Sequence, residues 1–382
     1  MKIKTCTLTW IHNGNYGTML QAYALQKVLE LNGYENVIID YKPGKLMKVI
    51  NLFTSGNSLK LFYYKFRGFL DSIEERKSKK SESEEAISRN DCFDIFVRES
   101  LKTTDVFRTP RELKKLRGKY DAYICGSDQI WNPGLLNPPY FFSFLSDEDK
   151  RVAYGPSFGV TSIGKKKKNR IKGYLSKFSA LSVREPQGVG IFEDMGFDTQ
   201  KTPVVLDPTM LIEKQEWQKF TQNTEAEGEP YILCYFLHDN PTYWKAVDRL
   251  KSELNCKVIV VPIAVDAYKS GYDIRQNTSP QQWVRLVSNA EFVLTDSYHC
   301  VLFSLISHRN FYVFKRFEDN DPESQNSRID NILDKAGLGD RFLSRSDELS
   351  EIKAIDDFSA VDKMLEEQRA ESLSYLKNAI DL

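Results

Sequence analysis

The stretch EFVLTDSYHCVLFSLISHRNFYVF, Glu291 to Phe314, decides the fold. It reads as a buried strand (Phe292, Val293, Leu294), a polar turn (Thr295, Asp296, Ser297), an apolar helix through Ile306, and a second strand at 311–314. That is a β-α-β unit, the building block of a parallel sheet. With Asp296 as the N-cap, His299 falls at the third helical position, beside backbone N–H groups that have no partner inside the helix. Open parallel sheets bind ligands outside the carboxyl ends of their strands, and a helix N-terminus favours anions. His299 is therefore the first candidate for proton transfer beside a bound phosphate or carboxylate. A histidine that merely closes a helix end is the competing reading. Asp296 is likewise either an ordinary cap or a carboxylate that orients the imidazole.

Working outward, the same alternation recurs on both sides. Upstream lie a strand at 231–237, a helix at 242–254, a strand at 258–262 and a short helix at 280–287. Downstream come the basic pair Lys315-Arg316, then Ser327-Arg328 and a helix at 329–336. The first half opens with a strand at 4–11, the turn HNGNYG at 12–17, a helix at 18–31 and a strand at 37–39. Its glycine spacing is not the dinucleotide fingerprint. Asn13 and Asn15 either close an Asx-turn or, with Gly17 and Thr18, present polar groups to a ligand. A strand at 120–125 runs into Gly126-Ser127-Asp128, one at 152–154 into Gly155-Pro156-Ser157, and one at 180–183 into Arg184-Glu185. Small and polar groups at successive strand ends read as a pocket wall. A helix at 188–195 and a strand at 203–205 complete this half.

Two Rossmann-like α/β domains facing a cleft are the expected architecture, at 1–208 and 209–350. A C-terminal segment, 351–382, carries a long helix that returns to the first domain. Residues 44–100 differ in texture and read as a helical insertion. Its run EERKSKKSESEEAISR is either a lid over the cleft or a solvated charged face.

Acidic and basic residues balance at 53 each in 382, so no global field recruits nucleic acid or an anionic membrane. No run of about 20 apolar residues exists, and the N-terminus turns polar too early for a signal peptide. A cytoplasmic protein is expected, with peripheral contact at the inner face of a membrane left open. The 6 cysteines are scattered without a C-x-x-C pair, and with only 4 histidines no protein-built metal site is expected.

Five segments carry a family resemblance: SDQIWNP after a strand, YGPSFG, LSVRE, FDTQKTPVVLDPT and TDSYHC followed by FSL. Together they resemble the polysaccharide pyruvyl transferase family, over about Thr9 to Arg328. The resemblance implies a fold like that of two-domain glycosyltransferases of the B type, with the site in the interdomain cleft. It implies transfer of a pyruvyl group from phosphoenolpyruvate to sugar hydroxyls, giving a pyruvate ketal on a cell-surface polysaccharide or its precursor. The acceptor would be a sugar or a lipid-linked oligosaccharide, bound mainly by the first domain, with the donor on the second. No cofactor is implied beyond phosphoenolpyruvate as co-substrate. In the family the histidine turn reads T-x-R-x-H, with the arginine linked to donor binding. Here Thr295 and His299 match, and Ser297 stands in the arginine's place. Arg184 matches the arginine of the V-R-E/D segment and resembles a donor contact. On charge and segment order alone, Lys315, Arg316 and Arg328 are the candidates to supply the missing cation.

Phosphoenolpyruvate carries two oxyanions, which arginine's planar fork grips bidentately. His299 is the group suited to passing protons among hydroxyl, enol and leaving phosphate. Asp128 and Glu185 either meet sugar hydroxyls or serve loop structure or an ion pair. Two rivals stay open on sequence grounds: a nucleotide-sugar-dependent glycosyltransferase on the same fold, and a non-catalytic glycan-binding scaffold.

Overall fold

The computed structural model describes residues 2–44, 88–318, 324–345, 349 and 351–381. The aromatic-basic part of the expected 44–100 insertion, and nearly all of its charge-rich run, lie outside those residues.

The first sheet is built from β1 (Lys4–Leu8), β2 (Glu35–Ile38), β3 (Ala122–Cys125) and β4 (Arg151–Ala153), in the order β2-β1-β3-β4. Every pairing is parallel. Around it lie α1 (Tyr16–Leu31), α2 (Arg89–Ser100), the single turn α3 (Pro110–Leu113), α4 (Lys165–Leu175) and α5 (Pro186–Asp194). The strands expected at 180–183 and 203–205 form isolated parallel bridges, Val152 to Ala180 and Val183 to Val204, rather than ladders. Pro203 has no N–H to donate. The Ser182 hydroxyl takes over at the other bridge, donating to Ala153 O at 2.7 Å and accepting from Gly155 N at 3.0 Å.

The short helices α6 (Pro208–Leu211) and α7 (Lys214–Phe220) lead into the second sheet. Its strands are β5 (Tyr231–Tyr235), β6 (Lys257–Val260), β7 (Asp273–Ile274), β8 (Phe292–Thr295), β9 (Asn310–Phe314) and β10 (Phe342–Leu343). All pairings are again parallel, in the order β10-β9-β8-β5-β6-β7. The crossovers are α8 (Pro241–Leu254), α9 (Pro280–Asn289), α10 (Tyr298–Ser307) and α11 (Ser327–Ala336). The two-residue strands β7 and β10 have no period that a sequence could display.

Strand order reverses between β1 and β3 in one sheet and between β5 and β8 in the other. Such switch points open a crevice at the carboxyl ends. Both crevices face the same space because the two halves share one apolar core. Leu20 and Leu25 of α1 belong to the same buried cluster as Leu233, Val284 and Cys300. Tyr16 anchors the join: it stacks on Trp283 with centroids 5.3 Å apart and donates its hydroxyl to Thr278 O at 2.8 Å. Each large apolar side chain buried this way contributes about 1.5–3 kcal/mol.

The last helix, α12 (Ser359–Asp381), touches both halves. Tyr375 donates to Ala153 O at 2.8 Å, and the Ser372 hydroxyl accepts from Leu206 N at 3.0 Å. Asp362, near its start, meets His308 at 2.8 Å.

Candidate active site

Two helix N-termini meet between the sheets. Helix α1 is capped by Asn15, whose side chain accepts from Thr18 N at 3.2 Å. Helix α10 begins after Ser297, an extended residue whose hydroxyl makes no capping bond. Gly17 and His299 are the second residues of these two helices, and they pack face to face. A Cβ added at Gly17 would lie 2.1 Å from His299 Nδ1 and 2.7 Å from its Cβ. The imidazole therefore occupies the space that a missing side chain leaves. Its residue is 7% exposed, and its Nε2 is buried without a hydrogen-bond partner.

This corrects the expected cap. Asp296 is wholly buried, and its carboxylate accepts from Leu237 N at 2.7 Å and His238 N at 3.1 Å. It ties the end of β5 to the end of β8, across the second switch point, and His299 sits one position nearer the helix start than expected. Burial pushes the Asp296 carboxyl up to about 6, against the pull of Arg316 and those two N–H groups.

The carboxylate that faces the imidazole is Asp207, with Oδ2 3.4 Å from His299 Nε2. Its Oδ1 caps α6, accepting from Thr209 N at 3.0 Å and Thr209 Oγ1 at 2.8 Å. Oδ2 also accepts from Arg184 Nη1 at 2.7 Å. Burial alone would raise this carboxyl; His299, Arg184 and the Thr209 N–H outweigh it and hold it well below the usual range. Asp207 sits inside the quoted VVLDPT motif, yet the sequence reading assigned it no role. An Asp-Pro-Thr step looks like nothing more than a helix start.

Arg184 is the hub. Besides Asp207 it has Glu185 Oε2 at 3.6 Å and Asp128 Oδ1 at 3.7 Å. Burial opposes its charge, but Tyr298 and the three carboxylates raise it above the ordinary value. Its guanidinium lies 4.9 Å from the Tyr298 ring centroid, and that of Arg328 lies 5.3 Å from the same ring. Nε and Nη2 of Arg184 and Nε of Arg328 are buried without hydrogen-bond partners. Among the described residues no carboxylate comes within ion-pair distance of Arg328. Neutral amides meet it instead: Gln325 Oε1 accepts from its Nη2 at 2.5 Å, and the Gln129 oxygen, turned toward it, accepts from its Nη1 at 3.0 Å. Burial, then the like charge of Arg184, bring Arg328 down to about 10. A narrow cavity opens beside these groups, lined by Arg184, Glu185, Asp207, Tyr298, Arg328, Asn331 and Lys335.

The polar strand ends of the first sheet converge on the same place. Thr18 donates to Asp128 at 2.5 Å, and Asn13 donates to Thr18 at 3.1 Å. Asp128 holds a left-handed backbone, φ 70°, a conformation uncommon outside glycine. Ser157 donates to Glu185 Oε1, while Glu185 Oε2 has no hydrogen bond and faces Arg184. Ser127 turns inward, donating to Gly155 O at 2.9 Å, so it shapes the wall without facing the cavity. Of the basic candidates only Arg328 joins Arg184. Lys315 and Arg316 line a second cavity with Asn240, Thr242, Lys245 and Arg345, beyond the ends of β9 and β10. Tyr298, Gln129 and Gln325 went unassigned in the sequence because aromatic and amide side chains carry no signal until their neighbours are known.

A model of the polysaccharide pyruvyl transferase family matches residues 15–316. Nothing among curated proteins matches the chain. Solved structures do resemble it. A protein provisionally named a UDP-N-acetylglucosamine 2-epimerase, from Listeria monocytogenes, superposes with a TM-score of 0.53 at 10% identity, covering 99% of this chain and 96% of that one. The Rickettsia bellii UDP-N-acetylglucosamine 2-epimerase gives 0.51 at 10% identity, with 99% of both chains covered. The Methanocaldococcus jannaschii enzyme, in complex with UDP-GlcNAc and UDP, gives 0.50 at 13% identity, again covering 99% of each. At these identities the likeness establishes the fold, a B-type glycosyltransferase-like pair of parallel α/β units.

Proposed function

The chain belongs to the polysaccharide pyruvyl transferase family, and on that premise we propose that it transfers the pyruvyl group of phosphoenolpyruvate onto two hydroxyls of a sugar. The observation that carries this reading is the pairing of a histidine–aspartate couple with two arginines that keep buried N–H groups without hydrogen-bond partners, Nε and Nη2 of Arg184 and Nε of Arg328, between the two sheets. The two formal charges of Arg184 and Arg328 are outweighed by the three of Asp128, Glu185 and Asp207. Anion capture therefore rests on aimed N–H groups and two helix ends rather than on net field. Arg328 takes the part of the cation that Ser297 does not provide, from α11 instead of from the histidine turn.

In the reaction the methylene carbon of the enol gains a proton while a sugar hydroxyl oxygen bonds to the neighbouring carbon and gives up its own. The bond from that carbon to the phosphate oxygen then breaks, and phosphate leaves with the electron pair. A second hydroxyl bonds to the same carbon, loses its proton and closes the ketal. His299 moves protons between hydroxyl and donor; Asp207 orients the ring and stabilises its positive form. Arg184 and Arg328 hold the carboxylate and phosphate from both halves of the chain. Asp128 and Glu185 receive sugar hydroxyls, so the acceptor enters over residues 1–208. No metal or cofactor takes part in this scheme. The acceptor, a sugar or lipid-linked oligosaccharide, would be met on the cytoplasmic side of a membrane.

The test is incubation with phosphoenolpyruvate and galactose-, glucosamine- and mannosamine-type acceptors, followed by mass measurement. A gain corresponding to one ketal-linked pyruvate, with one phosphate released, is expected. Glycosyl transfer from UDP- or GDP-sugars, with none from phosphoenolpyruvate, would overturn the proposal.

A further inference from the structure

Helix α4 breaks a rule of helix electrostatics. Its sequence is KKKKNRIKGYL, 165–175, with four lysines in the first turn, no acid there, and no side-chain cap from Gly164. Cations at the positive end of a helix dipole oppose folding, and no side chain caps this end; only the Gly164 carbonyl meets its amides, accepting from Lys167 N and Lys168 N at 3.0 Å. Local rules broken without a compensating gain in the fold mark sites shaped by something else.

The helix is amphipathic in one sense only. Ile171 and Leu175 point into the core, and Tyr174 stacks on Phe141 at 5.4 Å. The opposite, exposed face holds Lys165, Lys166, Asn169, Arg170, Lys172 and Gly173: four cations and no acid. Nearby acids neutralise only neighbouring lysines. Asp194 pairs with Lys168 at 2.8 Å, and Asp147 with Lys177 at 2.7 Å. In a chain whose formal charge is zero, this face is a local excess. The segment after α4 returns parallel to β4, Ala153 N donating to Ala180 O at 3.0 Å. The lysine-rich start of α4 therefore stands at the carboxyl edge of the first sheet, the edge that carries Asp128 and Arg184. The Pro138–Phe141 turn packs against this helix. Leu135, a large apolar residue left 44% exposed, lies three positions before that turn.

We infer that the exposed face of α4 is a docking surface for an anionic phospholipid bilayer, which holds the cleft mouth toward the membrane. A cationic helix face without acids suits anionic headgroups. Nucleic acid fits less well, because the one aromatic of this helix is already packed and offers no stacking platform. The inference concerns binding and stands apart from the reaction proposed above.

Sedimentation of the full chain with phosphatidylcholine vesicles, with and without about a third phosphatidylglycerol, tests it. Each basic residue near such a surface contributes about fivefold in partition coefficient. Lys165→Glu, Lys166→Glu, Arg170→Glu and Lys172→Glu together should lower partitioning more than about 100-fold by the same reckoning. Binding should also fall steeply as salt is raised toward 0.5 M. Because acids favour a helix start, the pair Lys165→Glu and Lys166→Glu alone should melt no lower than the parent while still lowering partitioning about 25-fold, which separates lost docking from lost folding. The four corresponding Lys→Arg or Arg→Lys exchanges should retain binding. Equal partitioning into neutral and anionic vesicles would overturn the inference. So would tighter binding to a single-stranded oligonucleotide than to the anionic vesicles.

Discussion

Replacing Gly17 by alanine tests the site's central contact, because helix physics and site geometry pull in opposite directions there. In an isolated helix, Gly→Ala gains about 1 kcal/mol. Here the new methyl would sit 2.1 Å from His299 Nδ1, 2.2 Å from Cγ and 2.7 Å from Cβ. Ordinary carbon contacts begin near 3.5 Å. Rotating the imidazole relieves the first two clashes but not the third, since Cβ moves only with the backbone. The two helix starts must separate by roughly 1 Å, an overpacking that costs about 1–3 kcal/mol. A displacement of that size at reacting groups lowers turnover about 100-fold. Phosphate release from phosphoenolpyruvate with an acceptor should show that loss, mainly in kcat. Denaturant unfolding should show a destabilised protein despite the better helix former. His299→Ala keeps the Cβ that forces the separation, so adding Gly17→Ala to it should cost nearly as much, whereas His299→Gly removes all three clashing atoms and should relieve the cost, a coupling of about 2 kcal/mol. If Gly17→Ala kept parental turnover and stability, the imidazole would not be seated against α1, and the account of the site would fail.

His299→Ala alone should lower kcat about 100- to 10,000-fold while leaving donor affinity nearly unchanged, checked by steady-state kinetics and calorimetry. Arg328→Ala should raise the KM for phosphoenolpyruvate at least as much as it lowers kcat, and Arg328→Lys should restore charge without restoring the fork; equal donor binding in all three proteins would remove Arg328 from the donor site. Asp207→Asn leaves Arg184 without its closest carboxylate and should destabilise the chain by about 3 kcal/mol in denaturant unfolding, with slowed turnover. Asp296 sets a pH dependence of stability. Its carboxyl rises from about 3.9 in the unfolded chain to about 6 when folded, so its contribution is fully present below about pH 4 and is lost as pH climbs through 6. That loss amounts to about 3 kcal/mol. Asp207, held low, acts in the opposite direction and only below about pH 4. Unfolding curves between pH 4 and 6 should therefore slope downward for the parent and flatten for Asp296→Asn.

The amino-acid pattern reveals most of the element sequence. Residues 292–295 form a strand buried at every position, and 298–307 follow as a buried helix, much as expected. It also directs attention to the right loops, because polar residues after apolar strands are conspicuous. Its errors share one physical origin. A carboxylate before a helix resembles a cap whether its oxygens reach that helix or, as with Asp296, two amides of another strand end. Basic residues of the second half are interchangeable in composition, yet Arg328 stacks on Tyr298 while Lys315 and Arg316 line a cavity elsewhere.

Local chemistry, then, is written along the chain: which segments alternate, where strands end, that Arg184 and His299 are candidates, and that α4 carries unbalanced lysines. Pairing across distance is not. Asp207 meets His299 from 92 positions away, and Gly17 makes room for it from the opposite half of the molecule. Such partnerships depend on how two parallel sheets are brought together over a shared apolar core. Periodicity records which face of an element is buried and carries no information about which other face it will meet.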